Sequence, residues 1–198
     1  MSPSPPLHPY YPLEAEITGY VANDRHFLAL IQIFAFVCLV GLGATYAVCY
    51  YVYNFKTLAS RQTLFGQLWK EYSHSDSRYL TQDPFVLCME TITALVWGPL
   101  SLLTAYLILT SHPLRHPLQI IVSLGHMYGD ILYYGTSFFD HHVANISHCR
   151  PEPFYFYVYF VGMNAPWILI PAALMWRSMS YIGKAVSRLR ELEGKKKI

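Results

Sequence analysis

The sequence has few charged residues, and long stretches of it have none. Asp, Glu, Lys and Arg make up 13% of the 198 residues, whereas hydrophobic residues make up 54%. That charged share is about half of the usual one in soluble domains. The formal net charge of +2 is too small to indicate a nucleic-acid partner. The composition therefore excludes an ordinary soluble domain and is typical of a protein embedded in a lipid bilayer.

Signatures of metal, disulfide and cofactor chemistry are also missing. The four cysteines form no Cys-x-x-Cys pair, so neither a disulfide framework nor a zinc site is predicted. His141, His142 and His148 stand in a loop at a spacing that matches no standard metal site. No glycine-rich phosphate loop, nucleophile elbow or haem-ligand pattern occurs. The sequence predicts no cofactor and no bound metal.

Four windows are long and apolar enough to cross a bilayer core, which takes about 20 residues of helix. They cover residues 27–55, 85–110, 118–139 and 154–176. A polar, proline-rich arm over residues 1–26 precedes them, and no cleavable signal peptide is recognised there, so the first span serves as its own insertion signal. The prediction is an all-α membrane protein: four transmembrane helices in a domain over residues 27–176, and a basic tail over residues 177–198.

The segments between the spans indicate how the helices are arranged. The polar connector over residues 56–84 carries apolar residues at helical spacing, which predicts an amphipathic helix lying at the membrane interface. The short, proline-bounded turn over residues 111–117 predicts that the second and third spans are antiparallel neighbours. By the positive-inside rule, the basic tail faces the cytosol. Its end, Lys195–Ile198, resembles a dilysine retrieval signal, so we expect a multi-pass protein of the endoplasmic reticulum.

One carboxyl group stands within the second span. Ionisable groups in the hydrocarbon region are costly and often functional, and Glu90 shares a helix face with Thr93 and Trp97. A carboxyl group in that setting can stay protonated and act as a proton donor. It can equally be a structural group hydrogen-bonded to a neighbouring helix.

Two further polar sets lie in the later spans. His126 and Asp130 stand four residues apart on one face of the third span, as an acid–base pair or a satisfied structural pair. Asn164 and Trp167 stand one turn apart around Pro166, which bends the helix and frees a backbone carbonyl. A tryptophan face can stabilise a cation, although such a residue more often packs against lipid or core. Together these residues suggest proton transfer on an apolar substrate inside the membrane.

Several motifs resemble those of one family, the emopamil-binding proteins, which are the sterol Δ8–Δ7 isomerases of the EXPERA superfamily. The motifs are Gln67–Tyr72, Asp76–Tyr79, Cys88–Ala94, Trp97–Ser101, Tyr128-Gly-Asp130, and Met163–Ala165 followed by Trp167, with Leu7–Tyr10 and Asn23–Arg25 near the amino terminus. The resemblance runs over most of the chain, and the Tyr-rich arm and loops look closest to the fungal branch.

The resemblance implies a five-helix membrane bundle around a sterol cavity, without a cofactor. Protonation of the C8=C9 double bond gives a carbocation near C8, and loss of a C7 proton leaves the C7=C8 alkene. Cationic amphiphiles inhibit such enzymes because an ammonium group resembles the carbocation. The family pattern assigns Glu90 to proton transfer or cation stabilisation, with Thr93 and Asn164 as its hydrogen-bond partners. The expected substrate-contacting or site-shaping residues are Trp97, Trp167, Tyr72, Asp76, Arg78, His126 and Asp130.

The chain departs from the family in one region. Family members carry a second transmembrane helix with a His and a Glu four residues apart, but here Val40–Gly43 runs into Tyr50–Phe55, which resembles the end of that helix. Two proton carriers are thereby lost, and His126, where the family usually has Gln, is a candidate replacement. Two other readings stay open: a sterol- or amphiphile-binding protein without catalysis, and a subunit that complements a full-length partner. Homodimerisation is also left open.

Overall fold

The computed structural model of the protein describes residues 8–30, 32 and 42–195, and within these it is helical without any strand. Residues 27–30 and 32 are helical. The longer helices are α1 (Leu42–Asn54), α2 (Leu64–Tyr72), α3 (Pro84–Leu109), α4 (Arg115–Phe139) and α5 (Tyr155–Lys195). Short 3₁₀ turns cover Phe55–Ser60 and Ser77–Tyr79. The predicted all-α class is confirmed.

Local sequence explains where the helices around the connector begin. The Thr63 hydroxyl accepts a hydrogen bond from Gly66 N at the start of α2. Asp83 Oδ1 accepts one from Val86 N at 2.9 Å at the start of α3, where Pro84 occupies the first turn. Both arrangements satisfy amide groups that a helix start leaves without an intrahelical acceptor.

Prolines account for two irregular stretches inside the long helices. A π-helical segment covers Thr93–Trp97, just before Pro99, and another covers Tyr155–Gly162, just before Pro166. A proline has no N–H for the carbonyl group four residues earlier, so the helix is rearranged on its amino-terminal side. The widened stretch in α5 exposes the carbonyl groups of Phe160 and Val161, and the Tyr134 hydroxyl lies 3.1 Å from each.

Two helices are long and apolar enough to cross a membrane: Pro84–Leu109 and Tyr155–Lys195. Only 17% and 22% of their most apolar windows are buried, whereas the core helix of a soluble protein would be mostly buried. Helix α4 covers the third predicted span. The first predicted span, residues 27–55, includes residues 31 and 33–41, which lie outside the described residues.

Helices α3, α4 and α5 pack as antiparallel neighbours along the chain. The Trp97 ring of α3 lies against Gly125 of α4. Between α4 and α5, His116 lies 3.2 Å from Ser178, and the ring of Tyr133 contacts that of Phe160. Residue numbers rise along α5 as they fall along α4, so these two helices are antiparallel. Trp97 and Gly125 lie about equally far along the chain from the turn that joins α3 and α4, so the predicted antiparallel arrangement of the second and third spans agrees with this contact.

The connector helix α2 is present, and other parts of the protein cover its polar face. Its position at the membrane interface stays a prediction. Every residue of Gly66–Tyr72 is buried, and Lys70 has no exposed surface. The arm over residues 8–26 covers the polar face: Lys70 Nζ donates to Val21 O at 2.7 Å, and Tyr10 donates to Lys70 O at 3.0 Å. Polar groups of α2 are thus hydrogen-bonded to the arm rather than to solvent.

Candidate functional site

Glu90 lies buried on α3 and accepts a hydrogen bond from a residue of the connector. Its side chain is 9% exposed, and the Tyr79 hydroxyl donates to Glu90 Oε1 at 2.7 Å. Among the described residues, no hydrogen bond reaches Glu90 Oε2. The expected partners Thr93 and Asn164 do not hydrogen-bond Glu90 in this part of the chain; Thr93 instead donates to the carbonyl group of Met89 at 3.0 Å. That bond follows from helical spacing, because a threonine readily bonds the carbonyl group one turn back.

Asn164 belongs to a second polar group beside Glu90. The Tyr72 hydroxyl lies 3.1 Å from Asn164 Oδ1 and 3.4 Å from the Tyr133 hydroxyl. Asn164 Nδ2 also donates to Phe160 O at 2.7 Å, within the widened start of α5. The widened stretch of α5 thus holds the Asn164 side chain that reaches the connector. Side chains from α2, α4 and α5 meet in this cluster.

The Tyr79 ring joins these two polar groups. Its centroid lies 5.4 Å from that of Tyr72 and 6.5 Å from that of Tyr133, while its hydroxyl binds Glu90. The Trp69 ring packs against the Tyr79 ring at 4.9 Å. Tyr79 belongs to the Asp76–Tyr79 motif, but nothing in a local pattern says that a connector tyrosine faces a helix carboxyl group.

A buried ion pair fixes the turn that carries Tyr79. Arg78 Nη2 lies 2.7 Å from Asp76 Oδ2, and Arg78 Nε donates to both carboxylate oxygens of Asp76. On its other side Arg78 donates to Thr136 Oγ1 at 2.9 Å, and its guanidinium lies 5.1 Å from the Tyr133 ring. Arg78 therefore ties the connector to α4 immediately before Tyr79.

Two tryptophans, Trp97 and Trp167, contact α4 about two helical turns from Tyr133. A Cβ placed on Gly125 would lie 2.6 Å from the Trp97 ring, so that indole packs directly on the α4 backbone. The Trp167 ring lies edge-on to His126 with centroids 5.7 Å apart, and Trp167 remains 40% exposed. In this structure Trp167 faces His126 rather than Glu90.

The expected pairing of His126 with Asp130 is not formed. Within the described ranges, no hydrogen bond or ion pair joins the two side chains, although they share a helix face. Asp130 is buried, and its Oδ2 has no hydrogen-bond partner. The helical register predicts proximity, but the orientation of each side chain depends on the helices packed against it.

A third polar cluster, which sequence reasoning missed, lies beneath the amino-terminal arm. Tyr159 donates to Glu71 Oε1 at 2.8 Å, and His74 Nε2 lies 3.9 Å from Glu71 Oε2. Burial raises the pKa of Glu71, while the Tyr159 hydrogen bond opposes that rise. Burial and the nearby Arg150 charge lower the pKa of His74 to about 4. The Tyr10 ring stacks on the imidazole at 4.8 Å, so this cluster anchors the arm.

In the loop after α4, one histidine contacts a carboxyl group. His148 Nε2 lies 3.0 Å from Asp140 Oδ2. Across residues 8–30, 32 and 42–195, no group of three His, Cys, Asp or Glu side chains is arranged to hold a metal ion.

Comparison with known proteins identifies relatives over most of the chain. The family model described as EXPERA (EXPanded EBP superfamily) matches residues 64–178. A 3-beta-hydroxysteroid-Delta(8),Delta(7)-isomerase of Mus musculus is 37% identical over 93% of this chain and 92% of its own length. The enzyme of the same name from Cavia porcellus is 35% identical, with 88% of each chain covered. A probable one from Oryza sativa is 31% identical over 90% of this chain and 93% of its own.

The alignments also show a difference in length. The mouse alignment has 217 positions, but 93% of this 198-residue chain is about 184 residues, so about 33 positions have no residue here. The rice alignment has 209 positions for 90% of the chain, which leaves about 31 without a residue. Each difference is close to the length of one transmembrane helix with a short loop.

Proposed function

The chain belongs to the EXPERA family (EXPanded EBP superfamily), and from that membership we propose that it is a sterol Δ8–Δ7 isomerase. Such an enzyme moves the C8=C9 double bond of a sterol to C7=C8. The reaction adds one proton at C9 and removes another from C7, so it needs a proton donor and acceptor rather than a redox group. The observation that carries the proposal is the buried Glu90 carboxyl group, held by the Tyr79 hydroxyl at 2.7 Å.

The two carboxyl oxygens of Glu90 would have different roles in the proton transfer. Oε1 accepts the Tyr79 hydrogen bond, which leaves Oε2 to carry the proton that passes to C9. The two π electrons of C8=C9 form the new C9–H bond, and the positive charge appears at C8. The carboxylate that remains keeps the Tyr79 hydrogen bond and lies near the cation, an arrangement that stabilises charge most strongly in a dry interior.

A base then takes the C7 proton, and the C7–H electrons become the C7=C8 bond. The newly formed Glu90 carboxylate is a base already in place. The aromatic rings beside it, including those of Tyr72, Tyr133 and Trp97, can present their faces to the cation. Thr93, Asn164 and Trp167 are also proposed site residues. Asn164 is included because it is hydrogen-bonded to Tyr72. Thr93 and Trp167 are included because they match the family pattern.

The proposed setting is a bundle of four transmembrane helices in the endoplasmic reticulum, with the basic tail in the cytosol. Two helices meet the requirements of length and apolarity directly. In α4 the polar residues Ser123 and Asp130 are buried, whereas the exposed face is apolar at Ile121, Leu124 and Ile131. A helix with polar residues inward and apolar residues outward is what a polar-lined site in lipid requires.

Complementation of a yeast that lacks its own sterol C8 isomerase tests the proposal. We expect the wild-type chain to restore Δ7 sterols and Glu90→Gln to leave Δ8 sterols, at equal protein levels in the membrane. Glu14→Gln makes the same chemical change in the exposed arm and is the matched control. Accumulation of Δ8 sterols with the wild-type chain present would refute the catalytic proposal.

A second candidate function is sterol or cationic-amphiphile binding without catalysis. About 33 positions of the mouse alignment have no residue here, and α1 contains no ionisable acid–base residue of the His or Glu type expected on the family's second helix. The predicted junction residues Val40 and Gly41 lie outside the described ranges. Saturable binding of a Δ8 sterol without conversion would favour this function. Activity that appears only on co-expression with a full-length relative would favour a subunit role.

A further inference from the structure

Asp130 has a buried carboxyl oxygen for which the described residues provide no partner. Its side chain is 9% exposed, and Oδ2 has no hydrogen bond. Of the buried side-chain atoms without a partner in the described residues, this is the one that belongs to a carboxyl group. Buried polar atoms in folded proteins nearly always have a partner, so an orphaned carboxyl oxygen calls for a specific explanation.

Asp130 lies on the face of α4 that also carries Tyr133 and His126. One helical turn away on the same face of α4, the Tyr133 hydroxyl lies 3.4 Å from that of Tyr72. One turn in the other direction, the His126 ring contacts that of Trp167. Asp130 therefore lies between the end of the interior that holds Glu90 and the end that holds the tryptophans. Because α3 and α5 cover both ends, the face that carries Asp130 is turned away from lipid.

We propose that Asp130 Oδ2 accepts a hydrogen bond from the 3β-hydroxyl group of the sterol. The inference rests on the proposed function and specifies how that site orients its substrate. A 3β-hydroxysterol has one polar group on an otherwise apolar ring system, and the interior offers one unoccupied carboxyl acceptor at a distance from the reacting acid. Glu90 Oε1 is bonded to Tyr79, and Glu90 Oε2 is assigned to the proton that passes to C9, whereas Asp130 Oδ2 is left for the substrate hydroxyl group.

This contact would also set the register of the rigid ring system. The hydroxyl group is on the first ring, and the C8=C9 bond is shared by the second and third rings. Holding the hydroxyl group at Asp130 therefore limits which carbon atoms can reach Glu90. A lost hydrogen bond should lower affinity, and a buried acceptor left without a partner should discriminate against a sterol that lacks the hydroxyl group.

Binding measurements separate this inference from the catalytic proposal. Purified full-length protein in detergent micelles is titrated with a 3β-hydroxy Δ8 sterol and with its 3-deoxy analogue. For the wild-type chain we expect the hydroxysterol to bind roughly 10-fold or more tightly than the analogue. In Asp130→Ala that ratio should fall to about one, chiefly because the hydroxysterol loses affinity. Asp140→Asn, at the end of the same helix, should retain the wild-type ratio.

Each outcome bears on the inference. A wild-type ratio near one, or an Asp130→Ala variant that keeps the wild-type ratio, overturns it. Equal weakening of both ligands also overturns it, because that result indicates a structural role. Asp130→Asn keeps the size of the side chain and a carbonyl acceptor, so it should retain part of the preference for the hydroxysterol over the analogue. This variant keeps the test usable if Asp130→Ala does not fold. Wild-type protein that binds sterol without converting it refutes only the catalytic proposal; protein that binds neither sterol refutes both.

Discussion

Replacing Tyr79 by Phe removes one hydroxyl group from the centre of the proposed site and leaves its ring in place. The ring is 4% exposed and packs against Trp69 and Tyr72, so the variant keeps these contacts and opens no cavity. What it loses is the 2.7 Å hydrogen bond to Glu90 Oε1. The consequences should therefore be those of one hydrogen bond to a buried carboxyl group.

A hydrogen bond to a charged group contributes about 1.5–3 kcal/mol. In the proposed mechanism that bond strengthens as Glu90 becomes a carboxylate in the transition state. A loss of that size corresponds to a roughly 10- to 100-fold fall in turnover, since each 1.4 kcal/mol changes a rate tenfold. The folded state should also lose about 1–3 kcal/mol, because Glu90 Oε1 remains buried without a partner.

Conversion of a Δ8 sterol by membranes of equal protein content, followed by chromatography of the Δ7 product, measures the effect. Tyr128→Phe makes the same chemical change at a side chain that is 64% exposed on α4, and it should retain wild-type turnover. The double variant Tyr79→Phe/Glu90→Gln should have nearly the same turnover as Glu90→Gln alone, because the Tyr79 hydroxyl group acts through the Glu90 carboxyl group. Turnover of Tyr79→Phe within twofold of wild type would refute the assigned role of this hydroxyl group.

Three further predictions concern stability. Asp76→Asn leaves a buried guanidinium group without its charge partner and should destabilise the fold by about 3–5 kcal/mol in thermal or denaturant unfolding. Because burial lowers the pKa of His74 to about 4, the unfolded chain binds more protons below pH 6.5, and stability should fall by about 3 kcal/mol from pH 6.5 to 4. His74→Gln should flatten that part of the pH profile, and an unchanged profile would contradict the assignment. Gly125→Ala would place its Cβ 2.6 Å from the Trp97 ring and should lower the melting temperature, whereas Gly129→Ala, with nothing within 4 Å of the new Cβ, should not.

The positions of the helices follow closely from local sequence. The apolar windows predicted over residues 85–110 and 118–139 correspond to α3 and α4, and the proline-bounded turn between them makes the two helices antiparallel. Hydropathy and helix-breaking residues act over a few neighbouring positions, so a single sequence is enough to find them. The family motifs likewise place the proposed site residues on α3, α4 and α5, and their roles stay predictions.

The connector is where local pattern and structure diverge. Its amphipathic spacing predicts a helix with one polar face but does not say what lies against that face. In the structure the arm covers Lys70 through Val21, far away in sequence. The same segment supplies Tyr79 to Glu90 and Tyr72 to Asn164. The helical spacing of apolar residues indicates only that a helix has one apolar and one polar face. Which element covers each face depends on how the chain returns to it.

The sequence by itself determined the helical class, the apolar segments, the placement of single polar residues within them and the family. These properties follow from side-chain chemistry and helical period, which act locally. Only the tertiary structure decided that Glu90 takes its hydrogen bond from Tyr79, that His126 faces Trp167, and that Asp130 keeps an unpaired oxygen. Each of these depends on contacts between separate helices, because a buried polar atom is satisfied by whichever donor the packing brings within about 3 Å.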